Sequence, residues 1–269
     1  MFTKIFDSLG DLSKYIKVTP RTKHNEAFSI KDSEAVSASD TKFTGTASFA
    51  AADELLLKGY EAGVAALQNA TKKVSRNYKV VTTINNDVYG FMPNVGAYLT
   101  GNPRNMMNIT TRRVNSKSKV LNLVVCVTVH GGVSSDTIID ISGKILQNVI
   151  ELDRIGYNVN LYVVDLTTYK KHDSTCIMVK IKSSNERLNI LKASYPLVHP
   201  SFLRRHIFAV QERLSDIEGT YGRYMDMSSA DLEECTGLKN VVFIKTKDYV
   251  RRQNESYDMI RSDIEKQLK

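Results

Sequence analysis

The sequence has few cysteines, and Cys126, Cys176 and Cys235 stand far apart in it. No C-x-x-C pair or His/Cys cluster accompanies them, so the pattern offers no metal site of the zinc kind. Cys126 and Cys176 sit in apolar runs, where a free cysteine acts as a small buried hydrophobe, which fits a reducing compartment. No apolar run approaches the roughly 20 residues of a membrane span, and the first residues lack the continuous apolar stretch of a secretory signal. The expectation is a soluble, cytoplasmic chain with no membrane partner. The phosphate-cradling patterns G-x-G-x-x-G and G-x-x-x-x-G-K-[ST] are also missing, which argues against dinucleotide binding and nucleotide hydrolysis and leaves no cofactor to expect.

Acid is scarce in one place. Between Thr71 and Lys119 a single carboxylate, Asp87, stands against nine bases: Lys72, Lys73, Arg76, Lys79, Arg104, Arg112, Arg113, Lys117 and Lys119. The net charge of the chain is +8, and that stretch carries all of it. A block of one sign is the footprint of a polyanionic partner, nucleic acid or an acidic protein, if its members converge in space. Dispersed, the same side chains are ordinary solvated charges.

What is present is an α/β pattern. With 269 residues and 42% apolar composition, the chain can bury one full core. Its organising stretch is Lys119 to Asp165. Lys119-Val-Leu-Asn-Leu-Val-Val-Cys-Val-Thr-Val reads as a strand buried on both faces. His130-Gly-Gly-Val-Ser-Ser-Asp is a turn in which Ser134 or Ser135 caps a helix. Ile138, Ile141, Ile145, Val149 and Leu152 then follow at helical spacing, Gly156 stops the helix, and Asn158-Val-Asn-Leu-Tyr-Val-Val-Asp165 returns as a second strand, completing a βαβ unit.

The flanks are read with the same rules. Met1 to Lys17 is expected to be a short amphipathic helix docked on the body, and Val18 to Asp40 a polar loop. Ser48 caps a helix over Phe49 to Lys58, and Gly59-Tyr-Glu-Ala-Gly63 turns the chain into another. Tyr78 to Ile84 is an edge strand. Asp87 to Met107 is irregular and aromatic, and its Val95, Tyr98, Leu99, Met106 and Met107 call for an apolar home, so an ordered loop packed on the core is expected. Its tyrosines and arginines also suit stacking on single-stranded nucleic acid. Ser174 to Lys182 alternates as a third strand, antiparallel to its predecessor, with Lys180 and Lys182 on one side. Asn185 to Ala193 is a short helix, and Pro200 opens a longer one through Leu203, Ile207, Val210, Leu214 and Ile217. Ser228 or Ser229 opens a brief helix ending near Gly237, Asn240 to Lys245 is a strand, and Ile260, Ile264 and Leu268 stripe a surface helix in the tail. The resulting plan is an arm and loop over 1–42 and a single domain over 43–269. Within that domain a helical and irregular basic segment (43–118) packs on an α/β core (119–248), and a C-terminal helix follows (249–269).

Four motifs carry a resemblance: Phe43-Thr-Gly-Thr-Ala-Ser-Phe with Gly59-Tyr-Glu-Ala-Gly; Pro93-Asn-Val-Gly-Ala-Tyr-Leu-Thr-Gly-Asn-Pro-Arg-Asn-Met; the strand–helix–strand run; and His199-Pro-Ser-Phe-Leu-Arg-Arg-His-Ile-Phe-Ala. Together they resemble an uncharacterised family of tailed-bacteriophage proteins, classed as a domain of unknown function. The resemblance implies a phage or prophage origin, residence in the host cytoplasm or in virions, and a mostly parallel sheet flanked by helices in three layers, von Willebrand factor A-like or Rossmann-like. The von Willebrand A metal site needs Asp-x-Ser-x-Ser after its first strand. Here the place reads Thr128-Val-His-Gly-Gly, without the carboxylate a hard cation wants, and no metal is expected.

Three functions compete. A non-catalytic binding protein would engage nucleic acid or another acidic partner through the nine bases. A protein–protein adaptor or assembly factor would use a degenerate von Willebrand A-like surface to meet a phage or host protein. An enzyme would need convergent groups at the strand-end ligand edge formed by His130, Gly131, Gly132, Ser134 and Asp165. No paired nucleophile and base is recognisable there, so no catalytic residue is assigned. The basic run His199, Arg204, Arg205 and His206 reads either as a charged helix start or as a cap with solvated arginines.

Overall fold

The computed structural model describes residues 1–22, 41, 43–71, 80–113, 120–128, 133, 135–154, 156–169, 174–214, 221–246, 248 and 257–267. The polar loop expected over Val18 to Asp40 falls largely outside them.

The chain opens with a strand, β1 (Phe2–Phe6), where helical spacing suggested a helix; only α1 (Leu9–Val18) keeps that form. The reason is tertiary. β1 lies parallel to the later strand around Thr175 to Val179, so ladder pairing overrides a local pattern already weakened by Gly10. Ser8 separates the two elements by accepting the Asp11 N–H at 3.1 Å. Leu9, Leu12 and Ile16 are buried, so α1 docks on the body as expected.

Next come α2 (Phe49–Lys58), capped by Ser48, and α3 (Glu61–Thr71). Gly59 makes the corner with φ +96, and a Cβ there would fall 2.4 Å from the Leu191 carbonyl oxygen, so only glycine fits. An excursion follows, built from β2 (Val80–Asp87), β3 (Met92–Pro93), α4 (Val95–Leu99) and β4 (Met106–Arg113). The core unit comprises β5 (Val120–Cys126), α5 (Ser135–Arg154) and β6 (Asn158–Thr168), with β5 and β6 parallel as read from the sequence. Then β7 (Ser174–Lys182) pairs antiparallel with β6. A register shift at Leu161/Tyr162 breaks the alternation, so Lys182 does not share the outward side of Lys180. Its Nζ turns inward and donates to the Val159 carbonyl at 2.7 Å, beside Asp153.

The following helix differs from expectation. It is α6 (Ile190–Val198), capped by Asn189, so it starts later than the helix expected over Asn185 to Ala193 and runs past Ala193 to Val198, with Pro196 inside it. The helix that starts near Pro200 begins as a π-helical segment (Phe202–Ile207) and continues as α7 (Phe208–Leu214). Its wider turn places Phe202, Arg205, His206 and Ile207 in the interior together. The remainder is β8 (Arg223–Tyr224), α8 (Ser229–Thr236) with a Ser228/Asp231 capping box, β9 (Val241–Lys245) and α9 (Tyr257–Gln267).

The main sheet runs β1-β7-β6-β5-β9, with β8 on the end of β6. β5, β6 and β9 are parallel, and the parallel pair β1 and β7 opposes them. The result is an α/β fold with a mostly parallel central sheet flanked by helices. Alternation along the strands builds two cores. Leu121, Leu123 and Val125 of β5 share one side with α1, α2, α3, α5, α6, the π-helical segment, α7 and α9. Val124 and Cys126, with Cys176 and Met178, face Met227 and Leu232 of the α8 side. Along α5, the fully buried Ile145, Val149 and Leu152 each contribute about 1.5–3 kcal/mol by leaving water.

Candidate protein-interaction site

The sequence pointed to three places. At the strand ends, His130, Gly131, Gly132 and Ser134 lie outside the described residues, and Asp165 is withdrawn from any ligand. β6 continues past it to Thr168, so it sits within a paired strand. Thr128 donates to its Oδ1 at 2.6 Å, and Thr167 and Gln211 donate to its Oδ2, each at 2.7 Å. Burial pushes its carboxyl above the usual range against those three bonds. Nearby, Val127, Ile138, Pro196, His199 and Phe202 line a cavity of about 60 Å³. That is far below the ~300 Å³ at which small-molecule pockets begin.

The basic run at the π-helical segment is an internal junction, not a charged helix start. Arg205 is fully buried; its Nε donates to Thr46 Oγ1 at 2.7 Å and its Nη2 to the Thr46 carbonyl at 2.8 Å. Ser201 bonds Thr44 and Thr46 as well. Arg204 donates to the Phe43 carbonyl and lies over its ring. Tyr195 Oη and His206 Nδ1 share a 3.0 Å hydrogen bond, while His206 Nε2 is 3.7 Å from Asp53 Oδ1, too long for a hydrogen bond, and burial pushes this imidazole down. Asp53 also takes Ser13 and Lys17, and with His206 they hold its carboxyl well below the carboxylate range. Burial, then the neighbouring His206, pushes the His199 imidazole down to about 4. Its Nδ1 accepts the Ser201 N–H at 3.2 Å, and its ring packs between Tyr60 and Tyr195. The motifs Phe43 to Phe49, Gly59 to Gly63 and His199 to Phe208 are therefore contact surfaces of one joint.

Of the nine bases, Lys72, Lys73, Arg76, Lys79, Lys117 and Lys119 lie outside the described residues. Arg104 is exposed near the turn-rich end of the excursion. Arg112 and Arg113 stand at its opposite end, in register with Val81 and Val80. The structure thus separates Arg104 from Arg112 and Arg113 by most of an eight-residue ladder, ~25 Å at 3.4 Å per residue.

Of this excursion the sequence showed one part, the edge strand read over Tyr78 to Ile84 and seen as β2; its partner strand and its projection were missed. β2 and β4 pair continuously from Val80↔Arg113 to Asp87↔Met106, and β3 adds two residues at the far end. Asn94 folds the tip: its Oδ1 accepts the Ala97 N–H at 3.2 Å and its Nδ2 donates to Asn86 Oδ1 at 3.1 Å. At Gly90 a Cβ would meet the Met107 carbonyl oxygen at 2.1 Å, so this turn requires glycine. None of residues 84–109 with a described environment is buried. Tyr89 is 68% exposed, Tyr98 67% and Leu99 77%, and Ile84, Phe91 and Val95 are also exposed. Val95, Tyr98 and Leu99 were expected to pack on the core. They do not, because the ladder carries them away from the core to the end of a β arm. A contiguous run of large exposed apolar groups marks an interaction surface, and tyrosine, phenylalanine, methionine and arginine are the residues enriched at such surfaces.

Fold and site together define a three-layer α/β protein bearing an exposed apolar β arm. The chain belongs to the family described as a domain of unknown function (DUF7192), whose model matches residues 2–269. No match is found among curated proteins or among solved structures.

Proposed function

We propose that this is a non-catalytic assembly or adaptor protein whose β arm docks on a protein partner, with the α/β body as its platform. The observation that carries the reading is the exposure of Tyr89, Phe91, Val95, Tyr98 and Leu99 on one projecting element. Aromatic and aliphatic groups of this size give up water readily to another protein, at about 25 cal/mol per Å². The test is a photo-crosslinking residue at Tyr98, with Glu186 on the body as the comparison site. A defined protein adduct at Tyr98 alone is expected, surviving about 1 M salt, where the Debye length is about 3 Å. Adducts at both sites alike, or at neither, contradict the proposal.

Nucleic-acid binding is the second reading, on the observation that Val80 and Arg113 are paired. The segments bearing Lys72 to Lys79 and Lys117 to Lys119 therefore depart from the same end of the arm. This reading predicts salt-dependent binding, abolished when Lys72, Lys73, Arg112 and Arg113 are changed to glutamate; unchanged affinity removes it. The von Willebrand A-like form of the core and the phage origin belong to the same set of proposals. The parallel β5, β6 and β9 with their crossover helix support the first.

A further inference from the structure

We propose that α9 is a displaceable guard on the open edge of the main sheet: with α8 it fills the place of a neighbouring strand beside β9 and keeps that edge from pairing with an extended chain. β9 ends the order β1-β7-β6-β5-β9, and among the described residues no strand lies on its far side. Across the β5–β9 ladder the Asn122 N–H donates to the Asn240 carbonyl at 3.1 Å. Alternation then turns residues 240, 242 and 244 toward β5, and Val241, Phe243 and Lys245 present their N–H and C=O groups outward. Val241-Val-Phe-Ile244 holds no charge, proline or glycine. An edge of that kind recruits other strands unless something blocks it.

The block is made of side chains. The Phe243 N–H donates to Gln267 Oε1 at 2.8 Å, and Gln267 Nε2 donates back to the Phe243 carbonyl at 3.2 Å. One carboxamide thus accepts and gives as the backbone of an antiparallel partner residue would. The Val241 N–H goes to Glu233 Oε1 of α8 at 2.8 Å, and Ser229 Oγ, also of α8, donates to Gln267 Oε1 at 3.0 Å. Val241 and Phe243 are therefore both answered from helices. α9 itself is held lightly. Of its described side chains Ile260 and Ile264 are buried and Gln267 is exposed. Arg261 stands 3.7 Å from Glu151 on the body, while the pairs Arg261 with Glu265 and Lys266 with Asp263 stay inside the helix. An element resting on so few buried groups opens before the core does. When it lifts, Phe243 loses both bonds at once and the edge is free to take a strand.

Residue-resolved hydrogen exchange and sedimentation, both on the full chain, test this. Gln267→Leu removes both bonds at similar size. The Phe243 amide should then exchange roughly fivefold faster, about what one hydrogen bond contributes, with β6 amides unchanged, and the variant should associate more strongly than the native chain. Adding Lys245→Pro should reverse that association, since proline at an outward edge position blocks strand pairing and spares the ladder to β5. Replacing residues 88–105 of Gln267→Leu by Asn-Gly, which suits a two-residue hairpin, should leave the association in place and so separates this edge from the arm. Unchanged exchange at Phe243 overturns the proposal, and so does association no stronger than the native chain's, insensitive to the proline or lost with residues 88–105. Loss of β6 protection together with that of Phe243 overturns it too, because α9 would then be part of the core and not its guard.

Discussion

At the scale of single residues, polar groups hold the interior and set its response to acid. His199 carries the clearest case. Its folded value of about 4 lies below the ~6.5 of an exposed imidazole. A depressed value means that the unfolded chain binds the proton more tightly. The stability His199 contributes is therefore intact above about pH 6.5 and is lost as pH falls toward 4. His206, also depressed by burial, and Asp53, held low by its partners, act in the same direction. The melting temperature of the native chain should thus fall between pH 7 and 4, and His199→Gln should show a shallower fall; superimposable pH profiles would contradict this. Little of this chemistry was legible in sequence. Arg205 and His206 look like parts of a basic cluster because the groups they face, Thr46 and Asp53, lie about 150 residues away in the chain. Asp165 looked like a strand-end ligand because the strand's end was placed at it, three residues before Thr168.

At the scale of elements, patterns that bury one continuous face were readable, and those decided by distant pairing were not. The βαβ unit, the antiparallel β7, the Ser48-capped helix and the α8–β9 run all carry their signal locally: alternation, spacing and a cap. β1 and the π-helical turn do not, since β1 exists through its partner at Thr175 to Val179 and the π turn through the groups it must turn inward. The arm was the largest loss. Its glycines and prolines announce turns, but the same residues fit a loop lying on the core and a tip standing off it. The two cases differ in consequence. Because the tip buries nothing against the body, replacing residues 88–105 by Asn-Gly should shift the melting temperature by less than about 2 °C, under about 1 kcal/mol for a chain of this size. A larger loss would show that the tip supports the core.

At the scale of the whole molecule, the sheet is covered unequally. Among the described residues seven helices and the π-helical segment share one core, while α8 and the Met227 segment close the other. This body contains its charge: Lys180 with Asp7, Lys182 with Asp153, Lys245 with Asp226, and Arg21 with Glu212 are paired. The +8 of the chain arises in the stretch from Thr71 to Lys119 that contains the arm. Within that stretch the described arm, Val80 to Arg113, carries Arg104, Arg112 and Arg113 against Asp87 beside its exposed apolar groups, and the body presents it. The most direct measurement is hydrogen exchange of the amides of residues 88–105 against those of β6. The account predicts fast exchange across residues 88–105 in the chain alone, while β6 stays protected throughout. Tip amides as protected as those of β6 would mean that the tip is packed on the body and would contradict it.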